Sequence, residues 1–350
     1  MENVKIVTSR LFYKHNPPHG VYHPENSRRL DIALNSLAKT NFSNRLIVID
    51  KLDEYYYSYR NRVHTEDYVL FIRGLCSKGD EKFIDNDTYI NKYTFDVATH
   101  AIGCSVYAAE LALNSKEVLV FSLIRPPGHH AGLSGNAMGA PTQGFCIFNN
   151  VAAAALYALD KGFKPIVIID IDVHHGNGTQ EIFWKNPDVV HVDIHEYDIY
   201  PGTGRIEDLG EGEGYGTKIN IPLPPYSNDN DYLYVVEEIV IPLVLCVKPR
   251  AIILSAGFDA YANEEIALMQ LTDKTYKNLG SFFRILSREL KTGVLAVLEG
   301  GYSVGLEKGI PAFLKSFEHF VDIDKKIEPS SYVVYLTKRL IKLLNQMYSI

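Results

Sequence analysis

The chain has 350 residues, of which 46% are hydrophobic, enough to bury one large core. Its net charge of −7 opposes attraction to phosphate backbones, so we expect no nucleic-acid partner. No apolar run reaches the roughly 18 residues that a membrane-spanning helix needs, and the N-terminus lacks a secretory-signal pattern, so we expect a cytoplasmic protein without a membrane partner. The four cysteines show no close pairing, which disfavours a disulfide framework and a four-thiolate zinc site.

Apolar runs alternate with helical patterns along the chain. The apolar residues near the N-terminus, within residues 1–7, predict a first strand. Five more apolar runs predict buried strands over Val118–Leu123, Pro165–Asp170, Val189–Ile194, Ala251–Ser255 and Val294–Leu298. Helical spacing predicts helices over Tyr93–Asn114, Asn150–Leu159, Tyr232–Leu245 and Asp273–Lys291. This alternation predicts an α/β protein with a parallel sheet covered on both faces.

The chain shows no internal repeat, low-complexity linker or break in composition. We therefore expect a single domain over residues 1–350. Leucines at helical spacing predict a packed C-terminal helix at about 332–348. No feature of the sequence marks an interface, so it predicts no oligomeric state.

Polar or glycine-rich sequence follows each of the five strands. In open α/β sheets, ligands bind where the carboxyl ends of the strands meet. The segments are RPPGHH at 125–130, DIDVHHGNG at 170–178, HEYD at 195–198, AGFD at 256–259 and EGGY at 299–302. We expect these five segments to meet in one site.

The second segment carries a pattern that suits a metal. Asp170, Asp172 and His174 point to one side while the chain stays extended, and two carboxylates at the end of an apolar strand need a cation or strong donors. Catalytic zinc takes three nitrogen or oxygen ligands. Asp172 and His174 can supply two, and Asp259 is the chosen third, with a helix N-cap as its alternative role. Asp170 is then free to orient a histidine, or to bind a monovalent cation with Asp193.

Three side chains are candidates for the chemistry. His129 and His130 follow a Pro-Pro-Gly turn, and an imidazole can take a proton from the attacking water and return it to a leaving amine. Asp170 and Asn177 are candidate partners that would orient the two rings. Tyr302 follows two glycines at a strand end, where its hydroxyl can donate to a carbonyl oxygen.

Six motifs, in this order, resemble those of the histone deacetylase superfamily, and the resemblance runs from about His23 to about Tyr302. The motifs are RPPGHHA at 125–131, GFCIFNN at 144–150, DIDVHHGNGT at 170–179, YPGTG at 200–204, SAGFDA at 255–260 and LEGGY at 298–302. The match looks closest to the class II-like and prokaryotic branch, which includes acetoin-utilisation proteins and acetylpolyamine amidohydrolases. It implies the arginase–deacetylase fold, three layers around a mostly parallel sheet of about eight strands.

The resemblance also implies roles for individual residues. It implies one zinc ion, held by Asp172, His174 and Asp259. It implies His130 as general base and acid, His129 as its electrostatic partner and Tyr302 as the group that polarises the carbonyl. A structural potassium ion would be held by Asp170, the main chain of Asp172 and His174, and Asp193 with Ile194. The acyl-lysine tunnel would be lined by Gly144, Phe145, Tyr200 and Ile266, and Asp87 resembles the rim aspartate that grips the substrate backbone.

The sequence departs from the family pattern at five places. Asn177 stands where class I enzymes have Asp, although class II-like members share the Asn. Asp193 replaces a usual Ser and adds negative charge at the potassium site, and Tyr200 replaces a common Phe, so the tunnel wall is expected to be more polar. Ile266 falls where Leu is frequent. The stretch Gly132–Gln143 is longer than usual and is expected to shape the rim.

The resulting prediction is a zinc-dependent amidohydrolase that removes acetyl or other acyl groups, with protein N-ε-acetyl-lysine as the expected substrate. Acetylpolyamine is the alternative, because Glu264 and Glu265 near the predicted rim would tolerate a polyamine as well as a basic protein tail. A dinuclear manganese ureohydrolase would need more carboxylates, yet position 261 is Tyr. A non-catalytic binder of acyl-lysine is disfavoured because every ligand and catalytic position is present.

Overall fold

The fold is built around one central sheet. The structure is a computed structural model that describes residues 3–320 and 327–348. Eight strands, all parallel, lie in the order β6-β5-β4-β7-β8-β3-β1-β2. They are β1 (Val4–Thr8), β2 (Leu46–Val48), β3 (Leu119–Ser122), β4 (Ile166–Asp170), β5 (Val189–Glu196), β6 (Lys218–Leu223), β7 (Ala251–Ala256) and β8 (Val294–Leu298). The prediction of a parallel sheet of about eight strands is confirmed.

The two strands that the apolar runs did not predict are the two edges of the sheet. β2 has only three residues, and none of them is fully buried. β6 contains Pro222, which an edge strand tolerates because it bonds a neighbour on one side only. The central strands, buried on both faces, are near-continuous apolar runs and were predicted to within two residues of their ends.

Helices flank the sheet in two groups. They are α1 (Arg28–Lys39), α2 (Glu54–Val63), α3 (Glu66–Ser77), α4 (Thr94–Leu113), α5 (Asn150–Asp160), α6 (Asn177–Ile182), α7 (Asp229–Val235), α8 (Ile241–Val247), α9 (Asp273–Leu290), α10 (Ile310–Glu318) and α11 (Ser331–Leu344). Helices α2 to α5 pack against one another, while α1, α7, α9 and α10 form the second group. Short 3-10 turns lie at Arg10–Lys14, Ser43–Arg45 and Gly212–Gly214.

The predicted helix near Pro242 needs correction. The predicted helix Tyr232–Leu245 is interrupted by a π-helical turn, Val236–Val240, which ends two residues before Pro242. Proline has no N–H to continue the regular bonding, which accounts for the interruption. A second π-helical turn, Gly305–Gly309, also lies just before a proline.

The C-terminal helix is present but shorter than predicted, since α11 ends at Leu344. It buries Val333, Leu336, Leu340 and Leu344. The single domain over residues 1–350 stays a prediction, and residues 1–2, 321–326 and 349–350 lie outside the described part of the chain. Among residues 3–320 and 327–348, the structure has no helix with the length and apolar character needed to cross a membrane.

Candidate active site

A pocket of about 250 Å³ opens beyond the carboxyl ends of the central strands. Its lining residues are Asp87, Pro127, His129, His130, Gly144, Phe145, Asp172, His174, Tyr200, Ile266, Gly300 and Tyr302. The structure thus brings together at one cavity the predicted histidine pair, two predicted zinc ligands, Tyr302 and all five predicted substrate-binding residues. The third predicted zinc ligand, Asp259, does not line the cavity, and neither do Asp170, Asn177, Asp193 and Ile194.

Three side chains at the floor form a possible metal centre. Nδ1 of His174 lies 3.3 Å from Oδ1 of Asp172 and 3.3 Å from Oδ2 of Asp259. Apart from this contact with His174, Oδ2 of Asp259 is buried and makes no hydrogen bond, and a buried carboxylate oxygen is costly unless a cation lies beside it. Burial and the neighbouring Asp172 raise the pKa of Asp259 to about 6. Two carboxylates and one imidazole supply oxygen and nitrogen donors that could hold a metal ion beside the pocket.

Backbone groups aim both carboxylates at the cluster. The amide of Gly300 donates to Oδ2 of Asp172 (2.7 Å), and the amide of Val173 donates to Oδ1 of Asp259 (3.0 Å). A Cβ at Gly300 would overlap the Oδ2 atoms of both aspartates, so only glycine fits there. The alternative role of Asp259 as a helix cap is wrong, because the next helix begins at residue 273 with Thr272 as its cap.

The two histidines differ in the residue that is bonded to Nδ1 of each ring. Nδ1 of His129 lies 3.0 Å from Oδ2 of Asp170, whereas Nδ1 of His130 lies 2.8 Å from Oδ1 of Asn177. The amide nitrogen of Asn177 donates to the carbonyl of Ala137 (2.9 Å), which fixes the amide orientation. Oδ1 therefore accepts the Nδ1 proton of His130, and the lone pair of that imidazole is on Nε2.

Their different neighbours also shift the pKa values of His129 and His130 in opposite directions. Burial lowers the pKa of both imidazoles. At His129 the carboxylates of Asp172 and Asp170 outweigh burial and raise the pKa well above its ordinary value. At His130 the neighbouring His129 and His174 add to burial, and the pKa falls well below the ordinary value. His130 is thus suited to accept a proton and His129 to carry positive charge.

Glu264 holds the loop that presents Tyr302. Its carboxylate accepts hydrogen bonds from the amides of Tyr302 (3.1 Å), Ser303 (3.0 Å) and Gly305 (2.8 Å). The expectation that Glu264 is a rim acid available to a cationic substrate is wrong, because its side chain is buried and occupied by these amides. The other predicted rim acid, Glu265, is exposed.

Two further buried ionisable side chains, to which no sequence pattern assigns a role, hold the neighbouring loops. Nε of Arg29 donates to the carbonyl of Gly301 (2.7 Å). Oε2 of Glu299 accepts from the amides of Gly128 (2.6 Å) and His129 (3.1 Å). Their charged side chains are visible in the sequence, but their partners lie far along the chain, so no local pattern reveals these contacts.

The pocket walls are aromatic. The ring of Tyr200 meets the ring of His130 edge-on, with centroids 4.9 Å apart, and Phe145 meets Tyr302 in the same way at 5.9 Å. Tyr200 was expected to make the wall more polar. Its hydroxyl instead donates to the carbonyl of Thr142 (2.9 Å), so the ring faces the cavity while the polar group bonds the adjacent loop.

A second cluster of ionisable groups lies behind the first. Asp170 and Asp193 are directly paired residues of β4 and β5, and both side chains are fully buried. Oδ1 of Asp193 lies 2.7 Å from Nδ1 of His195, and Oδ2 accepts from the amide of Gly176 (2.8 Å). The sequence did not single out His191, whose buried ring nitrogens have no hydrogen-bond partner and which lies in this cluster. Ile194, predicted as a potassium ligand, follows Asp193 in β5.

This fold is the fold of the deacetylase class. The sequence model of the histone deacetylase domain matches residues 23–316, so the chain belongs to the histone deacetylase family. The resemblance found in the six motifs is therefore confirmed. Family membership supports a deacetylase, and hence hydrolase activity toward acetylated substrates.

Individual relatives agree with this placement. An uncharacterized protein of Methanocaldococcus jannaschii is 42% identical over 336 residues, which cover 94% of each chain. A probable deacetylase of Archaeoglobus fulgidus is 37% identical, over 95% of this chain and 92% of the relative. Among solved structures, the HD domain of HDA15 is 28% identical and superimposes with a TM-score of 0.85, over 99% of this chain and 96% of that one.

Proposed function

We propose that this protein is a zinc-dependent deacetylase that acts on N-ε-acetyl-lysine in proteins or peptides. The observation that carries the proposal is the cluster of Asp172, His174 and Asp259 at the floor of the pocket, where Oδ2 of Asp259 is buried without a hydrogen bond. Zinc bound by these three residues supplies a Lewis acid for the amide carbonyl and activates the attacking water.

The protein groups around the cluster handle the protons. His130 takes the proton of the attacking water at Nε2 and later delivers it to the leaving amine. Asn177 keeps Nδ1 of His130 protonated throughout, which fixes the ring and its tautomer. His129, backed by Asp170, places positive charge beside the developing oxyanion.

Tyr302 completes the oxyanion site. Its hydroxyl donates a hydrogen bond to the substrate carbonyl oxygen, which gains negative charge as water attacks. The three amides bound by Glu264 and the carbonyl bound by Arg29 hold the Tyr302 loop in one conformation. A donor fixed before the reaction does not need to reorganise during it, which favours the transition state.

The walls and rim favour acetyl-lysine over an acetylpolyamine. Phe145 and Tyr200 line the cavity with aromatic rings that can pack on an alkyl chain, and Asp87, another lining residue, can accept backbone N–H groups of a peptide. An acetylpolyamine carries ammonium groups, which would bind most tightly to a rim with several free carboxylates. Glu264 is not one of them, since backbone amides occupy it.

We also propose a structural potassium ion near Asp170, Asp193 and Ile194. Two fully buried carboxylates lie directly opposite each other on neighbouring strands, and a cation between them would offset their repulsion. Each of their four oxygens has one polar neighbour at hydrogen-bond distance, so each keeps a lone pair that can bind an ion.

The test is a parallel assay of acetate release from an acetyl-lysine peptide, N-acetylputrescine and longer acyl-lysine peptides, with metal-free and zinc-loaded protein. We expect activity only with zinc, and a kcat/KM for the acetyl-lysine peptide at least about tenfold above that for N-acetylputrescine, because the amine has no backbone N–H groups for Asp87. A preference for N-acetylputrescine would overturn the substrate assignment. Absence of release from every acyl amine by zinc-loaded protein would overturn the enzyme assignment.

A further inference from the structure

Two threonines connect the rim aspartate to the two aromatic walls of the pocket. Thr88 donates its hydroxyl to Oδ1 of Asp87 (2.9 Å) and accepts from the amide of Phe145 (3.2 Å). Thr142 donates its hydroxyl to Oδ2 of Asp87 (2.5 Å), and its carbonyl accepts from the hydroxyl of Tyr200 (2.9 Å). Each carboxylate oxygen of Asp87 therefore accepts one threonine hydroxyl, and each threonine is bonded to one wall.

A neighbouring aspartate joins the same two loops through their backbones. Oδ1 of Asp85 accepts from the amides of Asp87 (3.0 Å) and Thr88 (2.7 Å), and Oδ2 accepts from the amide of Gln143 (2.9 Å). Gln143 ends the stretch 132–143, which is expected to shape the rim. This stretch is therefore bonded to the rim at consecutive residues, 142 and 143.

This arrangement limits the freedom of Asp87. A carboxylate in a surface loop ordinarily samples several rotamers and must be ordered when it binds a ligand. Two hydroxyl donors, one on each oxygen, hold the Asp87 carboxylate in one orientation and leave a lone pair on each oxygen for a further donor. Thr142 is itself buried and does not line the cavity, so it acts on a substrate only through Asp87 and Tyr200.

We propose that Thr142 is a positioning residue for peptide substrates: its hydroxyl fixes Asp87 to accept backbone N–H groups flanking the acyl-lysine, and the Tyr200 hydroxyl keeps Thr142 in place. The proposal rests on the deacetylase function proposed above, and it assigns the long 132–143 stretch to substrate choice. A substrate without backbone amides gains nothing from the fixed carboxylate.

The first test is Thr142→Val, which keeps the shape of the side chain and removes the donor. We expect KM for an acetyl-lysine peptide to rise about fivefold, which corresponds to the ordering of one side chain, with kcat changed less than about twofold. KM for N-acetylputrescine should not change, and Thr142→Ser should restore the peptide KM. Ser134→Ala is the matched control, because Ser134 lies in the same stretch and its hydroxyl contacts Thr65 rather than Asp87.

The second test is a double-mutant cycle with Asp87→Ala. If Thr142 acts through Asp87, then Thr142→Val should add nothing to the KM of the Asp87→Ala protein. An equal rise in both backgrounds, an unchanged peptide KM, or a kcat loss with both substrates would overturn the proposal.

A binding measurement separates this proposal from the enzyme assignment. The affinity of the acetyl-lysine peptide is compared with and without Thr142→Val in a Tyr302→Phe background, where turnover is not needed. A weaker peptide affinity in Thr142→Val, without acetate release by the wild type, would refute the deacetylase function but not the role of Thr142. Acetate release with no dependence of peptide affinity on Thr142 would refute the role of Thr142 alone.

Discussion

The floor and the rim of the pocket are fixed by different kinds of contact. At the floor, Asp172 and Asp259 follow β4 and β7, and backbone amides of buried segments hold their carboxylates. At the rim, Asp87 and Thr142 come from loops, and the hydroxyls of two threonine side chains hold the Asp87 carboxylate. The sheet fixes the position of every strand end, whereas loops can change length and sequence without disturbing it. We therefore expect bond cleavage to depend on the residues at the strand ends, and substrate choice to depend on the loops.

The largest expected effect is the loss of the metal from the floor. Asp259→Asn keeps the shape of the side chain but removes the negative charge that faces His174. We expect zinc occupancy to fall sharply and kcat/KM to fall by about a thousandfold, since metal activation is worth several kcal/mol. Metal analysis alongside acetate release measures both quantities. Full zinc occupancy with normal turnover would exclude Asp259 as a ligand.

The second largest effect should follow the loss of the oxyanion donor, which we expect to lower turnover without changing metal binding. Tyr302→Phe should lower kcat by about a hundredfold or more while zinc content stays at the wild-type level, because one preformed donor to the oxyanion is lost. Tyr197→Phe, at an exposed position outside the pocket, serves as control. Wild-type turnover in the Tyr302 variant would remove that residue from the mechanism.

A smaller effect should follow when the support of the Tyr302 loop is weakened. Glu264→Gln replaces one accepting oxygen with an NH₂ group that cannot receive the loop amides. Because the Tyr302 hydroxyl then loses its fixed position, we expect kcat to drop about tenfold with zinc content unchanged. The matched control is Glu265→Gln, the adjacent exposed acid, for which we expect turnover within about twofold of wild type because it is a single surface charge. Equal responses of the two variants would mean that Glu264 acts only as a rim charge.

The smallest effect should appear at the rim. Tyr200→Phe keeps the aromatic wall but removes the hydrogen bond to the Thr142 carbonyl. We expect the peptide KM to rise about two- to threefold, less than for Thr142→Val, since the loop keeps its bonds to Asp85 and Asp87. Steady-state kinetics on the peptide and on N-acetylputrescine give the comparison. A large kcat loss in this variant would mean that Tyr200 takes part in the chemical step rather than in positioning the rim.

The same contrast explains what the sequence could predict. Residues such as Asp172 and Tyr302 follow strongly apolar strands, so strand prediction alone placed them at one edge of the sheet. The contacts of Thr142 and Glu264 join loops that are far apart in the chain. Neither a periodic pattern nor a motif in the sequence predicts which loops come into contact. The prediction for Glu264 is wrong for this reason. An acidic residue in a loop suggests an exposed charge, whereas the Glu264 side chain is buried and accepts hydrogen bonds from three amides of another loop.

The central claim is most directly tested by titrating metal-free protein with zinc while acetate release from an acetyl-lysine peptide is recorded. One cluster of Asp172, His174 and Asp259 predicts activity that rises in proportion to added zinc and reaches its maximum at one equivalent per chain. Acetate release without any added metal, or a requirement for two equivalents of manganese, would contradict the single zinc centre and the deacetylase mechanism built on it.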